Sequence, residues 1–365
     1  MCGLLEDAGH CAYFVGGCVR NAVMGVAASD VDIATDASPD DVMHIAEEGG
    51  VRAVPTGLDH GTVTLVIDGT PYEVTTFRRD VDTDGRRAVV VFSTRMDDDA
   101  RRRDFTMNAL YADRHGWVHD PVGGLRDAQA RRVRFIDDPV QRIREDYLRA
   151  LRFFRFSAWY ADPDLGWDAD ALAAIAETLD GLHTLSAERV GAETLKLLSA
   201  PNPAPAVSVM ARVGVLARLI PGADDTMIGP VVHMGDAVPA DPITRLAALG
   251  GQDVGDRLRL SRNQQKQLDA VRSLSGSTRG FRALGYLAGV AAAQGAAILR
   301  AATMHTPLPG GWQDEIATGA DTKFPVTAAD FPDLQGPALG QRLKALKQDW
   351  LASDLSLTKE ALLGG

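Results

Sequence analysis

Cysteine is scarce in this 365-residue chain: there are three, Cys2, Cys11 and Cys18, all near the N-terminus. An odd, sparse set without paired C-x-x-C spacing argues against a disulfide framework or a zinc site. No apolar run approaches the length of a membrane span, and the first residues lack the basic-then-apolar run of a signal peptide. The expectation is a reduced, cytoplasmic protein without a membrane partner. Lysine is absent from residues 76–156, where eighteen arginines stand beside fourteen acids, while residues 1–75 hold two arginines against twelve acids. A net charge of −11 predicts no large basic face, yet it leaves RNA open as a partner, because local patches set phosphate contacts.

What is present is the composition of a folded protein, 45% hydrophobic and 24% charged, on a chain long enough for two or three domains. Ser38-Pro39-Asp40-Asp41 reads as an N-cap and first turn opening a helix through about Glu48. Val63–Ile67 and Tyr72–Phe77 are β-rich runs flanking Asp68-Gly69, a hairpin signal. Arg78–Arg87, with Asp84-Gly85, reads as a mobile loop before a strand at Ala88–Phe92. Helices are expected over Asp104–Tyr111 and Val140–Tyr160, so a mixed α/β head gives way near residue 137 to helices. Ser199-Ala-Pro-Asn-Pro-Ala-Pro205 is the clearest compositional boundary; beyond it lie amphipathic, Ala- and Leu-rich helical patterns.

Three clusters carry chemistry. In the first, Gly16-Gly17 opens a helix-length interval that ends at Asp30 and Asp32. The glycines let a backbone turn approach a phosphate at a helix N-terminus. Side chains two apart on a strand share a face, so Asp30 and Asp32 suit shared divalent cations. In the second, Arg102-Arg103-Asp104-Phe105-Thr106-Met107-Asn108, Asp104 is placed as a helix cap with Asn108 one turn later. The chemical alternative puts an arginine on a triphosphate and the aspartate on a ribose hydroxyl. In the third, Glu145-Asp146-Tyr147-Leu148-Arg149, a helix brings Asp146 and Arg149 to one face, with Arg152 and Arg155 winding round from it. An amphipathic helix with an ion pair accounts for that pattern too. An Asp–Arg pair also matches the amino donor and ring-nitrogen acceptor that cytosine and adenine share, whereas uracil and guanine present a carbonyl oxygen and a ring N–H, reversing both polarities.

The order Gly-Gly-x-Val-Arg, Asp-x-Asp, Arg-Arg-Asp-Phe-Thr-x-Asn-Ala, Asp-Pro-x-Gly-Gly and Glu-Asp-x-x-Arg resembles class II tRNA nucleotidyltransferases, the family of CCA-adding enzymes and bacterial poly(A) polymerases. The resemblance runs from about residue 10 to residue 200 and includes Ser186-Ala-Glu-Arg-Val-Gly-Ala-Glu193, similar to the family's neck-helix motif. Asp82-Thr-Asp-Gly-Arg86 with Val89-Val-Val-Phe92 resembles the CCA-adding branch. It implies an α/β nucleotidyltransferase (polymerase-β-like) head over 1–136 and a helical neck with a nucleotide-selecting helix over 137–200. An all-α body and tail over 201–365 would hold tRNA.

The implied activity is template-independent addition of C, C and A to the tRNA 3′ acceptor end from CTP and ATP, with two Mg²⁺ ions. Poly(A) polymerase or partial CC-only or A-only addition is the alternative, and a non-catalytic RNA-binding protein a further one. By resemblance Asp30 and Asp32 bind Mg²⁺, with Glu73 as a third acid. Gly16, Gly17 and Arg20 cradle the triphosphate, and Arg103, Asp104 and Asn108 hold phosphate and sugar. Asp146 and Arg149 read the base, supported by Arg152 and Arg155. Arg78–Arg95 includes a flexible loop tied to the switch from C to A, and Asp120-Pro-Val-Gly-Gly124 lies near the head–neck hinge. Asn21 departs from the pattern, which has Asp there: the amide keeps hydrogen-bonding capacity and loses charge. The chain begins close to the glycine pair, so a helical turn is expected to be missing there. His119-Asp120 is the one His-Asp dipeptide, so no C-terminal metal phosphohydrolase domain is expected.

Overall fold

The structure, a computed structural model, describes all residues except 28–29, 84–87, 236–237, 240 and 365; for 80–83 and 88–90 only the backbone is described. Two compact units divide the chain: Met1–Leu185 with Val213–Arg218, and Ser186–Arg212 with Leu219–Gly365.

The first unit opens with α1 (Cys2–Asp7), β1 (Ala12–Val15), α2 (Gly17–Met24), β2 (Asp32–Thr35) and α3 (Pro39–Glu48). Then come β3 (Arg52–Gly57), β4 (Thr62–Ile67), β5 (Thr70–Thr76), β6 (Arg78–Thr83), β7 (Ala88–Phe92) and α4 (Met96–Arg101). Strands β8 (Tyr111–Ala112) and β9 (Val118–His119) precede α5 (Gly124–Gln129), α6 (Pro139–Glu145), α7 (Leu148–Tyr160) and α8 (Ala169–Glu177). The main sheet has the order β3-β4-β5-β2-β1-β8-β9, with β6 and β7 as a separate pair. Among the described residues only β2 and β5 pair in parallel, and that pairing sets Asp32 opposite Glu73 and Ile33 opposite Val74.

Successive residues of β2 face opposite sides. Ile33 joins one core with Leu5, Val42, Ile45, Leu65 and Val74. Ala34 joins the other, with Val15, Phe77, Ala109, Tyr111 and Ile136. Asp32 therefore shares the face of Ala34, at the open end of a strand whose other residues are buried.

Several local expectations meet the structure directly. Ser38 closes a capping box with Asp41 at the start of α3. The β4–β5 hairpin turns on Asp68 and Gly69, both at positive φ (50° and 79°). Others need correction. Asp30 precedes β2 instead of lying on it. Residues 104–111 do not form a helix: a single 3-10 turn spans Thr106–Asn108, because Phe105 bridges to Phe135 and Tyr111 pairs with Val15 and His119. Part of the expected loop after residue 77 is strand β6, paired with β7; Asp84, Gly85 and Arg86 lie outside the described residues. The expected 140–160 helix breaks at Asp146, which is extended (φ −156°, ψ 105°) between α6 and α7.

The Asp-Pro-x-Gly-Gly motif acts locally as a cap. Asp120 accepts from the Gly124 and Leu125 amides at 2.7 and 3.0 Å. A Cβ on Gly124 would lie 1.9 Å from the Thr106 carbonyl oxygen, so only glycine lets α5 seat against that turn.

The second unit is helical: α9 (Ala187–Leu198) and α10 (Ala204–Arg212), then, past α11 (Val215–Leu219), α12 (Ile228–Met234), α13 (Pro242–Leu249), α14 (Val254–Arg257) and α15 (Arg262–Ser275). It continues with α16 (Phe281–Met304), α17 (Trp312–Asp321), α18 (Gly336–Ala352) and α19 (Lys359–Leu363). The Pro-rich stretch after α9 is fixed: Arg245 donates to the carbonyls of Leu198, Ala200 and Pro201 at 2.6, 2.5 and 3.1 Å. Against the expectation of no apolar run of spanning length, α16 is long and apolar enough to cross a membrane by length and composition. It is half buried, and Gly289 interrupts it at φ 73°.

Candidate active site

Gly16 ends β1 at φ 73° and ψ −119° and caps α2, a conformation open to glycine and strained for other residues. Space adds a second demand, since a Cβ here would sit 3.1 Å from Nη1 of Arg103 and 3.6 Å from the Asn108 carbonyl. The turn is tied down by the Gly16 amide donating to the Leu110 carbonyl at 3.0 Å. The glycine pair thus lies directly against the Arg103–Asn108 segment, although more than eighty residues separate them in sequence.

From α2 a chain of polar contacts crosses the buried interior. Arg20 donates through Nη1 to Oδ1 of Asn108 at 2.5 Å, and through Nε and Nη2 to Oδ1 of Asn21 at 3.1 and 2.8 Å. Asn108 in turn donates to Oδ1 of Asp104 at 2.9 Å. That carboxylate also accepts from the Phe105 amide at 2.9 Å and, on Oδ2, from Nε and Nη2 of Arg152 at 2.6 and 2.5 Å. Burial alone would raise the Asp104 pKa; Arg152 and Asn108 outweigh it and hold the carboxyl below its ordinary range. Asp104 therefore works not as a helix cap but as the anchor between the 3-10 turn and α7.

An aromatic platform on α7 collects the guanidinium groups. Cζ of Arg155, Arg20 and Arg152 lies 4.4, 5.2 and 5.3 Å from the Phe156 centroid, and Arg20 stacks at 4.0 Å from that of Tyr160. Such contacts favour a cation over a ring face.

Asp99 is the residue that sequence reasoning missed. It is 1% exposed, accepting on Oδ1 from Arg102 Nε at 2.8 Å and on Oδ2 from Arg103 Nη2 at 3.0 Å and the Tyr111 hydroxyl at 2.6 Å. Burial opposes ionisation, but Arg103 and Arg102 prevail and bring the pKa down to about 2. The readable signal was its spacing, three and four residues before Arg102 and Arg103 on one helical turn. Arg103 is thereby aimed and kept charged.

The acids sit beside this basic network. Asp30, Asp32 and Glu73 are exposed, and the Asp32 pKa is raised by its surroundings, then by Glu73 and Asp30, with Arg103 opposing. Among the described residues, no group of three or more His, Cys, Asp or Glu side chains is arranged to hold a metal.

The third cluster is joined to the second but not in the expected form. Asp146, outside the helix, accepts from the Leu148 amide at 3.1 Å and restarts the chain as α7. Arg149 bonds the Glu145 carboxylate and donates to the carbonyls of Arg142 and Arg102 at 2.9 and 3.2 Å. Arg142, also on Glu145, donates to the Arg103 carbonyl at 2.7 Å. Thus α6 and α7 fasten onto the backbone of the Arg102–Arg103 segment.

A seven-stranded mixed sheet with acids at one strand end, a glycine turn and arginines around it defines a nucleotidyltransferase head. Comparison with known proteins agrees. Residues 12–134 match the family described as poly A polymerase head domain, and residues 167–227 match the probable RNA and SrmB-binding site of polymerase A. A CCA-adding enzyme of Geobacillus thermodenitrificans is 41% identical over 222 residues, 60% of this chain and 52% of that protein. The mitochondrial CCA tRNA nucleotidyltransferase 1 of Homo sapiens is 40% identical over 190 residues, 52% of this chain and 44% of that protein. A crystal structure of the Bacillus stearothermophilus CCA-adding enzyme in complex with CTP matches at a TM-score of 0.77 and 29% identity, over 99% of this chain and 94% of that one. The chain spans about half the length of the curated relatives it matches. Residues 12–134 and 167–227 are thus similar to the head and RNA-binding domains of the poly(A) polymerase family, and the CCA-adding enzymes are its relatives.

Proposed function

We propose that this protein adds C, C and A to the 3′ end of tRNA, using CTP and ATP and releasing pyrophosphate. The observation that carries the reading is the continuous polar chain from Arg20 through Asn108 and Asp104 to Arg152, set beside Asp30 and Asp32. It gathers cations about one glycine turn, and Arg103, which lies against that turn, acts on Asp32. Gly16, Gly17 and Arg20 receive the triphosphate, Arg103 and Asp104 the phosphate and sugar, and Arg152 and Arg155 support that face.

Asp30 and Asp32, with Glu73 adjoining, are the residues that would hold Mg²⁺. Their hard oxygens suit a cation that takes one or two carboxylates and fills its shell with water and substrate phosphate, and such a cation would relieve the burial and then the Glu73 and Asp30 charges that raise the Asp32 pKa. When bound, Mg²⁺ would lower the pKa of the attacking 3′-hydroxyl and steady the departing pyrophosphate. The chain's own residues hold the α-phosphorus in line and neutralise the charge that develops there.

For base choice, Asp146 accepts from the exocyclic amino group of C or A while Arg149 donates to the ring nitrogen. Three of the five Arg149 N–H groups are engaged by Glu145 and the two carbonyls, which leaves donors for a base. A tRNA partner and a cytoplasmic site of action belong to the same proposal.

The test is to incubate tRNA transcripts ending before CCA, at C and at CC with each labelled nucleotide and to read the products at single-nucleotide resolution. Stepwise C, C, A with termination supports the reading; runs of A, a single C-C step, or no product overturn it. In the same assay Arg149→Ala is expected to reduce discrimination against UTP by roughly tenfold or more. Unaltered discrimination refutes the Asp146–Arg149 pair as the template.

A further inference from the structure

We propose that Asn21 is a positioning residue: its amide holds Arg20, the buried cation that the proposed function sets against the triphosphate, without neutralising it. The inference deepens the nucleotidyl-transfer reading and rests on it for the identity of the anion.

Arg20 is 5% exposed. Buried guanidinium groups are ordinarily matched by a carboxylate, because an unmatched charge costs several kcal/mol of solvation. Here, among the described residues, every direct partner of Arg20 is neutral: the amide oxygens of Asn21 and Asn108 and the faces of Tyr160 and Phe156. Asp104 acts on Arg20 as a nearby charge but does not bond it: one of its oxygens takes the Asn108 amide and the other is taken by Arg152. Arg152 and Arg155 lie over the same Phe156 ring, so like charges crowd the position. Such an arrangement becomes favourable when a polyanion arrives.

The chemistry of Asn21 shows why an amide stands here. Its Oδ1 accepts both Arg20 bonds while its Nδ2 donates to the Ala27 carbonyl at 2.9 Å. One side chain thus ties the phosphate cation to the Ala27 carbonyl just past the end of α2. Aspartate at this position, as in the resembled pattern, would keep the first function, lose the second and neutralise Arg20. The Tyr160 face, 4.0 Å from Cζ, supplies attraction without cancelling the charge.

The experiment titrates the full chain with inorganic tripolyphosphate and with CTP, without tRNA, at low and moderate salt. For Asn21→Asp both dissociation constants are expected to rise together by roughly tenfold, and the salt dependence of binding to become shallower. Tyr160→Leu, which leaves the charge in place, is expected to weaken both by about threefold at unchanged salt dependence. Parental affinity in Asn21→Asp, or weaker binding with the parental salt dependence, overturns the proposal. If Asn21→Asp does not fold, Tyr160→Leu decides, and parental tripolyphosphate affinity there overturns it. A parent chain that binds tripolyphosphate yet transfers no nucleotide to tRNA would refute the transfer reading alone.

Discussion

Among the described residues, the first unit buries five charged side chains, Arg20, Asp99, Asp104, Asp127 and Arg142, whereas the second buries two, Glu193 and Arg245. Arg245 serves the chain itself by closing three carbonyls of the Pro-rich stretch. The second unit is otherwise built on shape, with glycines where helices cross. A Cβ on Gly285 would lie 2.0 Å from the Ile316 carbonyl oxygen, and one on Gly319 would lie 2.0 Å from that of Arg282. Burying charge is expensive unless each group is bonded, and the first unit meets that cost where the candidate site is. One unit spends its interior on holding arginines in place; the other spends it on close packing.

The comparison breaks most sharply at the acids. Asp32 is exposed, outside the core, and on the proposed function Asp32→Ala should lower nucleotide incorporation by at least about 10³-fold. Its circular dichroism and thermal midpoint should match the parent. Substantial residual activity in single-turnover assays would separate Asp32 from the chemistry.

Shape should fail in the other unit first. Gly285→Ala forces a methyl into the α16–α17 crossing and should cost roughly 3 kcal/mol of stability, while CTP binding by the first unit persists. Denaturant unfolding followed alongside CTP titration checks both halves. Loss of CTP binding at native secondary structure would erase the division between the two interiors.

The legible part of the first unit was the part written in short-range chemistry. Asp68-Gly69 and the Ser38 capping box depend on residues within a few positions of one another, and the Gly16-Gly17 pair announces its turn locally although its seat against Arg103, Asn108 and Leu110 is long-range. The helix expected over residues 104–111 failed because Phe105 and Tyr111 are claimed by Phe135, Val15 and His119, partners that local periodicity does not register. The break at Asp146 likewise lies below the resolution of a 3.6-residue pattern: its carboxylate caps Leu148 from an extended backbone. Tyr160 stands 140 positions from Arg20, and no spacing rule connects a ring to a guanidinium at that distance. Asp99 is the intermediate case, since its two arginines were within helical reach but its Tyr111 bond was not. The clusters carried the chemistry, and tertiary pairing carried their aim.

Asp99 also supplies the finest test of the contrast, because its contribution is tied to pH. Its pKa in the folded chain is about 2, below the ordinary aspartate value of about 3.9. A carboxylate with a depressed folded pKa stabilises the fold above its unfolded value and loses that contribution as pH falls through the folded one. The difference corresponds to about 2–3 kcal/mol, fully present above roughly pH 5 and fading as the pH falls from about 5 through 2. Asp99→Asn removes the titrating group while keeping its shape, so the first unit should be less stable near neutrality by about that amount. The gap between variant and parent should narrow as the pH approaches 2. Chemical denaturation at a series of pH values measures it directly. A gap that stays constant from pH 7 to pH 2 would mean that Asp99 holds Arg102, Arg103 and Tyr111 by shape, and that burial of charge does not distinguish this unit from its neighbour.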